Sequence, residues 1–273
     1  MITAAAGPWR DLRTRLATAL ALGPLVLGCI WLGGGYFLAL MAVTLAGLAW
    51  EWVRLCGGAA TGAVGLAMPG VVLLAGALAG LGLPWPGLAV LALGAVLLWR
   101  MAGPLPRRFL ALGVVYLGFF GVAFITLRLD PEVGRANLFF LILLVWASDT
   151  AAYVAGRALG GPKLWPAVSP GKTWSGATGG LFGAMLVGAL AAVLVAPMAA
   201  PLWAALVAGV LGVVSQAGDL LESGIKRRFG VKDSSQLIPG HGGLLDRLDG
   251  FLAAGPLAAV LGMVLGSGEL LWR

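Results

Sequence analysis

Charge is scarce in this chain. Only 11% of its 273 residues are Asp, Glu, Lys or Arg, while 60% are hydrophobic; soluble domains carry about 25% charged residues. That shortage, with a mean hydropathy of +0.98, excludes an ordinary water-soluble fold. Cysteine is limited to Cys29 and Cys56, neither in a CxxC or Cys/His spacing, so no disulfide framework or zinc site is expected and both read as packing residues. His241 is the only histidine, and one histidine cannot build a metal centre. Acids number 11 against 18 Lys and Arg. The resulting net charge of +7 would suit nucleic acid, but in so apolar a chain it is explained by basic residues collecting on the cytoplasmic side of membrane loops, and no nucleic-acid partner is expected.

Long apolar runs fill most of the chain, each near the roughly 20 residues that a helix needs to cross the hydrocarbon core. They predict an all-α integral membrane protein, a polytopic bundle of about nine transmembrane helices: Leu16–Tyr36, Phe37–Trp52, Gly62–Leu83, Trp85–Met101, Phe109–Leu127, Leu138–Gly156, Trp174–Val195, Leu202–Glu222 and Phe251–Trp272. With the N-terminus inside, fifteen of the eighteen Lys and Arg fall on the cytoplasmic side and only Arg128, Arg135 and Arg273 outside, which sets an N-in, C-out topology. The first span follows Arg10, Arg13 and Arg15 without a clear small-x-small cleavage site, and reads as a retained helix rather than a signal peptide.

Residues 1–136 read as a transmembrane scaffold of about five helices, rich in Gly and Ala that permit close helix packing. Glu51, between Trp50 and Trp52, reads there as an interfacial anchor. Residues 137–273, about four helices, are different: two polar loops, 157–173 and 223–249, are expected to face the cytoplasm beside helices bearing acids. An acid at the centre of a membrane helix costs about 2.5–3.5 kcal/mol on insertion scales and usually marks a site. Asp149, Tyr153 and Arg157 share a helix face, and Lys172 and Thr173 precede a helix start that could hold phosphate oxygens. Gly-Lys-Thr is not a Walker A loop, because Pro166 stands at the first glycine position and no strand is expected before it. An N-capped interfacial turn is the plain alternative. Ser215, Asp219, Glu222 and Lys226 form a polar stripe; beyond it lie Arg227, Lys232, Asp233, the turn Pro239-Gly240-His241-Gly242-Gly243, and Asp246, Arg247 and Asp249. Carboxylates able to hold a hard cation, surrounded by Lys and Arg, suit phosphoryl or nucleotidyl transfer. For His241, phosphate hydrogen bonding, orientation of a carboxylate and proton transfer are all open.

The run Ser223, Lys226, Arg227, Lys232, Asp233, Ser235, Ile238, Pro239, His241, Gly242, Gly243, Asp246, Arg247 and Asp249, at this spacing, resembles the signature of phosphatidate cytidylyltransferases. Asp149 and the segment Ser169-Pro170-Gly171-Lys172-Thr173-Trp174 are similar to that family as well, although family members often carry Glu or Gln where this chain has Ser175. The resemblance covers roughly the last half of the chain. It implies that CTP and phosphatidic acid give CDP-diacylglycerol and pyrophosphate, at a cytoplasm-facing site in a bacterial-type inner membrane. It further implies Mg²⁺ on Asp219 and Asp246, with Asp249 nearby for a second cation. Lys226 and Arg247 would act with these acids in catalysis. Asp149, Ser169, Lys172, Thr173, Arg227, Lys232, Asp233, His241, Gly242 and Gly243 would bind substrate, and a homodimer is implied. Because the attacking phosphate is already an anion, charge neutralisation and in-line positioning matter more than a strong base.

Three other classes of protein share some of these features. A transporter would spread polar residues through several spans and show inverted repeats, whereas the acids here cluster. A CDP-alcohol phosphotransferase pattern runs from Asp246 to Ala253 but fails at Ala254. A cytidylyltransferase for another membrane lipid is the remaining alternative.

Overall fold

The computed structural model describes residues 8–195 and 200–273, with side chains from Leu16 onward; the side chains of Arg10, Arg13 and Arg15 lie outside the described residues. The helices are α1 (Pro8–Leu32), α2 (Gly34–Leu55), α3 (Ala63–Gly80), α4 (Pro84–Met101), α5 (Arg107–Leu129), α6 (Gly134–Leu159), α7 (Trp174–Val195), α8 (Pro201–Arg228) and α9 (Leu245–Leu265). Among the described residues, α2 to α9 are long and apolar enough to cross a membrane, whereas the apolar part of α1 is the shorter Leu16–Leu32. The chain is a multi-pass helical membrane protein. Its outward surface agrees, since large apolar side chains such as Leu66, Leu93, Phe182, Leu194 and Val264 lie exposed.

Several expected boundaries move. Gly33, at φ 68°, divides α1 from α2 earlier than the expected Tyr36, because a left-handed residue cannot continue a helix and glycine adopts it freely. The α8 helix continues to Arg228, and α9 begins at Leu245 and stops at Gly266 instead of running to Trp272. The segment 157–173 is not a plain loop. After α6 it forms an antiparallel hairpin of β1 (Lys163–Trp165) and β2 (Ser169–Thr173), with Lys163 opposite Thr173, so a strand does precede α7, contrary to the expectation. Its alternation is too short and too rich in Pro and Gly to register as a strand pattern.

Two packing styles build the bundle. In α2 to α5 large side chains interlock: Phe37, Leu45, Leu48, Trp52, Leu110, Leu117 and Phe120 are fully buried, and the Trp52 indole donates to the Phe109 carbonyl at 2.8 Å. Around α7 small residues let backbones meet. Gly176, Gly180, Ala184, Gly188 and Ala192 form its buried stripe, and a Cβ on Gly183 would lie 2.8 Å from the Ala147 carbonyl of α6. Such close approach favours membrane helix association through dispersion.

Hydrogen bonds fix which helix ends lie together. At one end the C-terminal turn of α2 meets the N-terminus of α9 through Glu51. At the other, Arg128 at the end of α5 donates to Ile30 at the end of α1, Asp130 accepts from Gly268, and Asn137 in the first turns of α6 pairs with Glu269 and Leu271. Consecutive helices therefore alternate in direction, and the C-terminal segment tucks Trp272 against Phe140, ring centroids 4.4 Å apart.

Candidate active site

The polar residues singled out from the sequence gather at the end of the bundle where α6 and α8 finish and α7 and α9 begin. One group is an acidic cluster. Asp149 on α6, Asp219 on α8 and Asp249 on α9 lie near enough to feel one another's charge. Lys172, carried by β2, places Nζ 2.5 Å from Asp219 Oδ2, and Ser223 donates to Asp219 Oδ1 at 3.3 Å. Asp249 Oδ1 accepts the Gly250 amide at 2.8 Å. The hairpin thus has a physical purpose: it delivers an ammonium to acids on helices that are far from it in sequence.

The second group centres on Lys226, buried at 8% exposure. Its Nζ lies 2.6 Å from Asp246 Oδ1 and 3.2 Å from Glu222 Oε1. Asp246 sits in the first turn of α9 and reaches back, as the acid of a capping box does, to the Gly243 amide at 2.8 Å; the same Oδ2 accepts Ser234 N at 2.9 Å and Ser234 Oγ at 3.1 Å. A carboxylate here also meets the positive end of the helix dipole. Gly242, at φ +89°, is required for this turn, since a Cβ would lie 3.0 Å from Asp246 Oδ2 in a backbone conformation that side chains disfavour. Neither carboxylate oxygen of Glu222 has a hydrogen bond, although the residue is 1% exposed. Its contact with Lys226 is an ion pair without hydrogen-bonding alignment.

The remaining predicted residues are placed less centrally. The Thr173 hydroxyl accepts Gly176 N at 3.1 Å and contacts Ser175 Oγ, which makes it the N-cap of α7, and Ser175 in turn donates to Gly160 O. Ser175 therefore buttresses the hairpin. Arg227 is exposed and bonds the carbonyls of Val168 and Val231, joining the hairpin tip to the loop after α8. Lys232, Asp233 and Arg247 are exposed, and Ser169 is half-buried on β2. His241 is half-buried, with Nδ1 3.4 Å from Pro239 O, and it is not brought onto any of the acids by a hydrogen bond. Among the described residues, no three His, Cys, Asp or Glu side chains converge closely enough to hold a metal as they stand.

Glu51 lies elsewhere than its sequence context suggests. It is not an interfacial anchor. Its carboxylate is 0% exposed and accepts Leu244 N and Leu245 N, each at 2.8 Å, Ser234 Oγ at 3.1 Å and Ser235 Oγ at 2.5 Å. The available signal was an acid within an otherwise apolar span, the usual mark of an intramembrane site.

The chain is also similar to known sequences. Residues 13–265 match the model of a family described as the cytidylyltransferase family. A phosphatidate cytidylyltransferase from Brucella suis biovar 1 (strain 1330) is 41% identical over 269 residues, covering 95% of this chain and 96% of the relative. One from Brucella abortus biovar 1 (strain 9-941) is 41% identical over 270 residues, 96% and 97% of the two chains. A third, from Staphylococcus haemolyticus, is 41% identical over 153 residues, 56% of this chain and 58% of its own.

Proposed function

The chain belongs to the cytidylyltransferase family, and from that membership we infer that it is a CTP-dependent phosphatidate cytidylyltransferase. A phosphate oxygen of membrane-embedded phosphatidate attacks the α-phosphorus of CTP; the new P–O bond forms as the bond to the β-phosphate bridging oxygen breaks, giving CDP-diacylglycerol and pyrophosphate. The observation that carries this reading is the meeting of Asp149, Asp219, Asp249, Asp246 and Glu222 with Lys172 and Lys226 at one end of the bundle. Two anionic substrates cannot approach without cations to neutralise them. Lys172, Lys226, Arg227, Lys232 and Arg247 are proposed for the triphosphate and the lipid phosphate, with Asp149, Ser169, Thr173, Asp233 and the His241-Gly242-Gly243 turn bordering the substrates. For Thr173 the contribution is indirect, through the N-terminus of α7.

Magnesium is part of the proposal, on Asp219, Asp246 and Asp249. The residues suit it chemically: all three are hard oxygen donors, two of them already attract an ammonium, and the buried Glu222 carboxylate has no aligned hydrogen bond and only the Lys226 ammonium beside it, which suits a second cation. When bound, the ion would neutralise charge on the phosphate oxygens. The chain's own part is to hold Lys172 beside Asp219 and Lys226 beside Asp246.

The site is proposed to face the cytoplasm of a bacterial inner membrane. In support, Arg54, Arg100, Arg107, Arg157 and Lys172 lie at the site end of the bundle and Arg128, Arg135 and Arg273 at the other, the bias expected of cytoplasmic ends. A homodimer is proposed from the family resemblance, and chemical cross-linking in native membranes would test it.

The test of function is formation of cytidylated lipid and pyrophosphate by detergent-purified protein supplied with CTP, phosphatidate and Mg²⁺, with Asp219→Asn in parallel. Product from the parent that is absent from the folded variant is expected. A folded, lipid-supplied parent that yields nothing from phosphatidate would remove the substrate assignment.

A further inference from the structure

The donors around Glu51 come from the loop after α8, whose Ser234 also donates to Asp246, and from the start of α9, the helix that carries Asp246 and Asp249. Leu244, the N-cap residue of α9, has no side chain able to cap it. Glu51 does so from another helix, accepting the amides of Leu244 and Leu245, so that its charge faces the positive helix end and hydroxyls instead of a cation. The fit is tight. A Cβ on Gly243 would lie 2.8 and 2.9 Å from the Glu51 oxygens, and Gly47, one turn earlier on α2, gives Leu244 and Leu237 their seat.

Ser234 links this clamp to the acids. Its single hydroxyl proton faces two carboxylates, Glu51 Oε2 and Asp246 Oδ2, each 3.1 Å from Oγ, and can serve only one at a time. We propose that Glu51 is a positioning residue of the transfer reaction: it holds the loop and the start of α9 in register while Asp246 exchanges Lys226 and Ser234 for the cationic partners of the nucleotide. As Asp246 is drawn into that exchange, Ser234 turns its proton to Glu51, and the Leu244 and Leu245 amides stay fixed. The role rests on the cytidylyl-transfer reading and assigns a function to a residue of the first half of the chain, outside the motif that identifies the family.

The experiment compares the parent with Glu51→Gln, Glu51→Asp and Ser235→Ala, each normalised to folded protein. Kinetics are followed against CTP, phosphatidate and Mg²⁺, and amide hydrogen exchange of the loop is followed without substrate. Removing a group that orients metal-binding residues typically lowers activity or metal affinity 10–100-fold. Glu51→Gln should therefore lower kcat and raise the Mg²⁺ requirement by about that factor, with KM for phosphatidate little changed and exchange accelerated at Leu244 and Leu245. Glu51→Asp should recover part of the loss, and Ser235→Ala, which removes one donor and leaves the helix cap, should show a smaller effect in the same direction. A purely structural Glu51 would lower thermal stability and leave kcat and Mg²⁺ dependence per folded molecule as in the parent, and that result would overturn the proposal. If Glu51→Gln does not fold, Ser235→Ala with parental kinetics and exchange overturns it. A parent with no transferase activity would sink the reaction reading, whereas an active parent with an indifferent Glu51→Gln sinks this inference alone.

Discussion

Replacing Lys226 with Met should destabilise the fold far more than a surface substitution, because the residue is the shared counter-charge of two buried acids. Its Nζ is 2.6 Å from Asp246 and 3.2 Å from Glu222, with side-chain exposures of 11%, 4% and 2% for the three. At an effective dielectric of 20 the attraction to Asp246 is about 6 kcal/mol before desolvation. Much of that offsets the removal of the charges from water, and breaking a buried pair costs about 3–5 kcal/mol because the partner is left uncompensated. For a chain of this size that is a fall in Tm on the order of 10 °C. The assay is thermal unfolding of the detergent-purified variant, followed by tryptophan emission, with the isosteric triple variant Lys226→Met, Glu222→Gln, Asp246→Asn alongside. The triple variant should regain most of the loss, since neutral side chains leave no buried charge, and both should lack transferase activity. A Lys226→Met protein that melts within about 2 °C of the parent would refute the reasoning: the triad would then be solvated, not buried.

Other expectations follow from single features. Gly243→Ala places a Cβ 1.9 Å from Ser234 Oγ and within 3 Å of both Glu51 oxygens; overpacking of this kind costs about 1–3 kcal/mol, and cytidylyl transfer should fall at least tenfold, on the order of 1.4 kcal/mol in the barrier, with parental rates refuting the contact. Burial would raise the Asp130 pKa, but the amides of Val133, Gly268 and Glu132 outweigh it and hold the carboxyl below its usual value. The stability it supplies is present above the unfolded pKa near 3.9 and is lost as pH falls through the lower folded value, so Asp130→Asn should flatten the acid limb of a Tm-against-pH curve. Burial also pushes the Cys56 thiol to about 12, so alkylation by maleimide at pH 8 should be slow in the folded protein and rapid after denaturation; fast labelling of the native state would contradict its packing.

Much of this architecture was legible from hydrophobic runs. The number and order of the helices follow from the length of apolar segments, and the helix faces of Asp149, Asp219 and Glu222 follow from their spacing, because a helix repeats locally. Boundaries depended on other information. Asp246 to Gly250 looked like loop because charges alternate there, and only Glu51, far away in the chain, supplies the cap that lets α9 start at Leu245. The hairpin carrying Lys172 was hidden by Pro166, Pro170 and Gly171, and its pairing is evident only once the strands meet. Glu51 was undervalued because an acid between two tryptophans has an ordinary interfacial explanation; its four donors come from residues at least 183 positions later.

That separation bears on how the protein can be made. If insertion proceeds in chain order, α2 enters the bilayer long before the segments that satisfy its carboxylate have been synthesised, 194 residues later for Leu245. Until then the Glu51 carboxylate lacks all four of its donors, and the C-terminal turn of α2 lacks the contacts that fix it. Completion of the reactive end is thereby tied to the last stage of biogenesis, and a chain stalled before α9 would expose an unsatisfied acid for quality-control proteases to read.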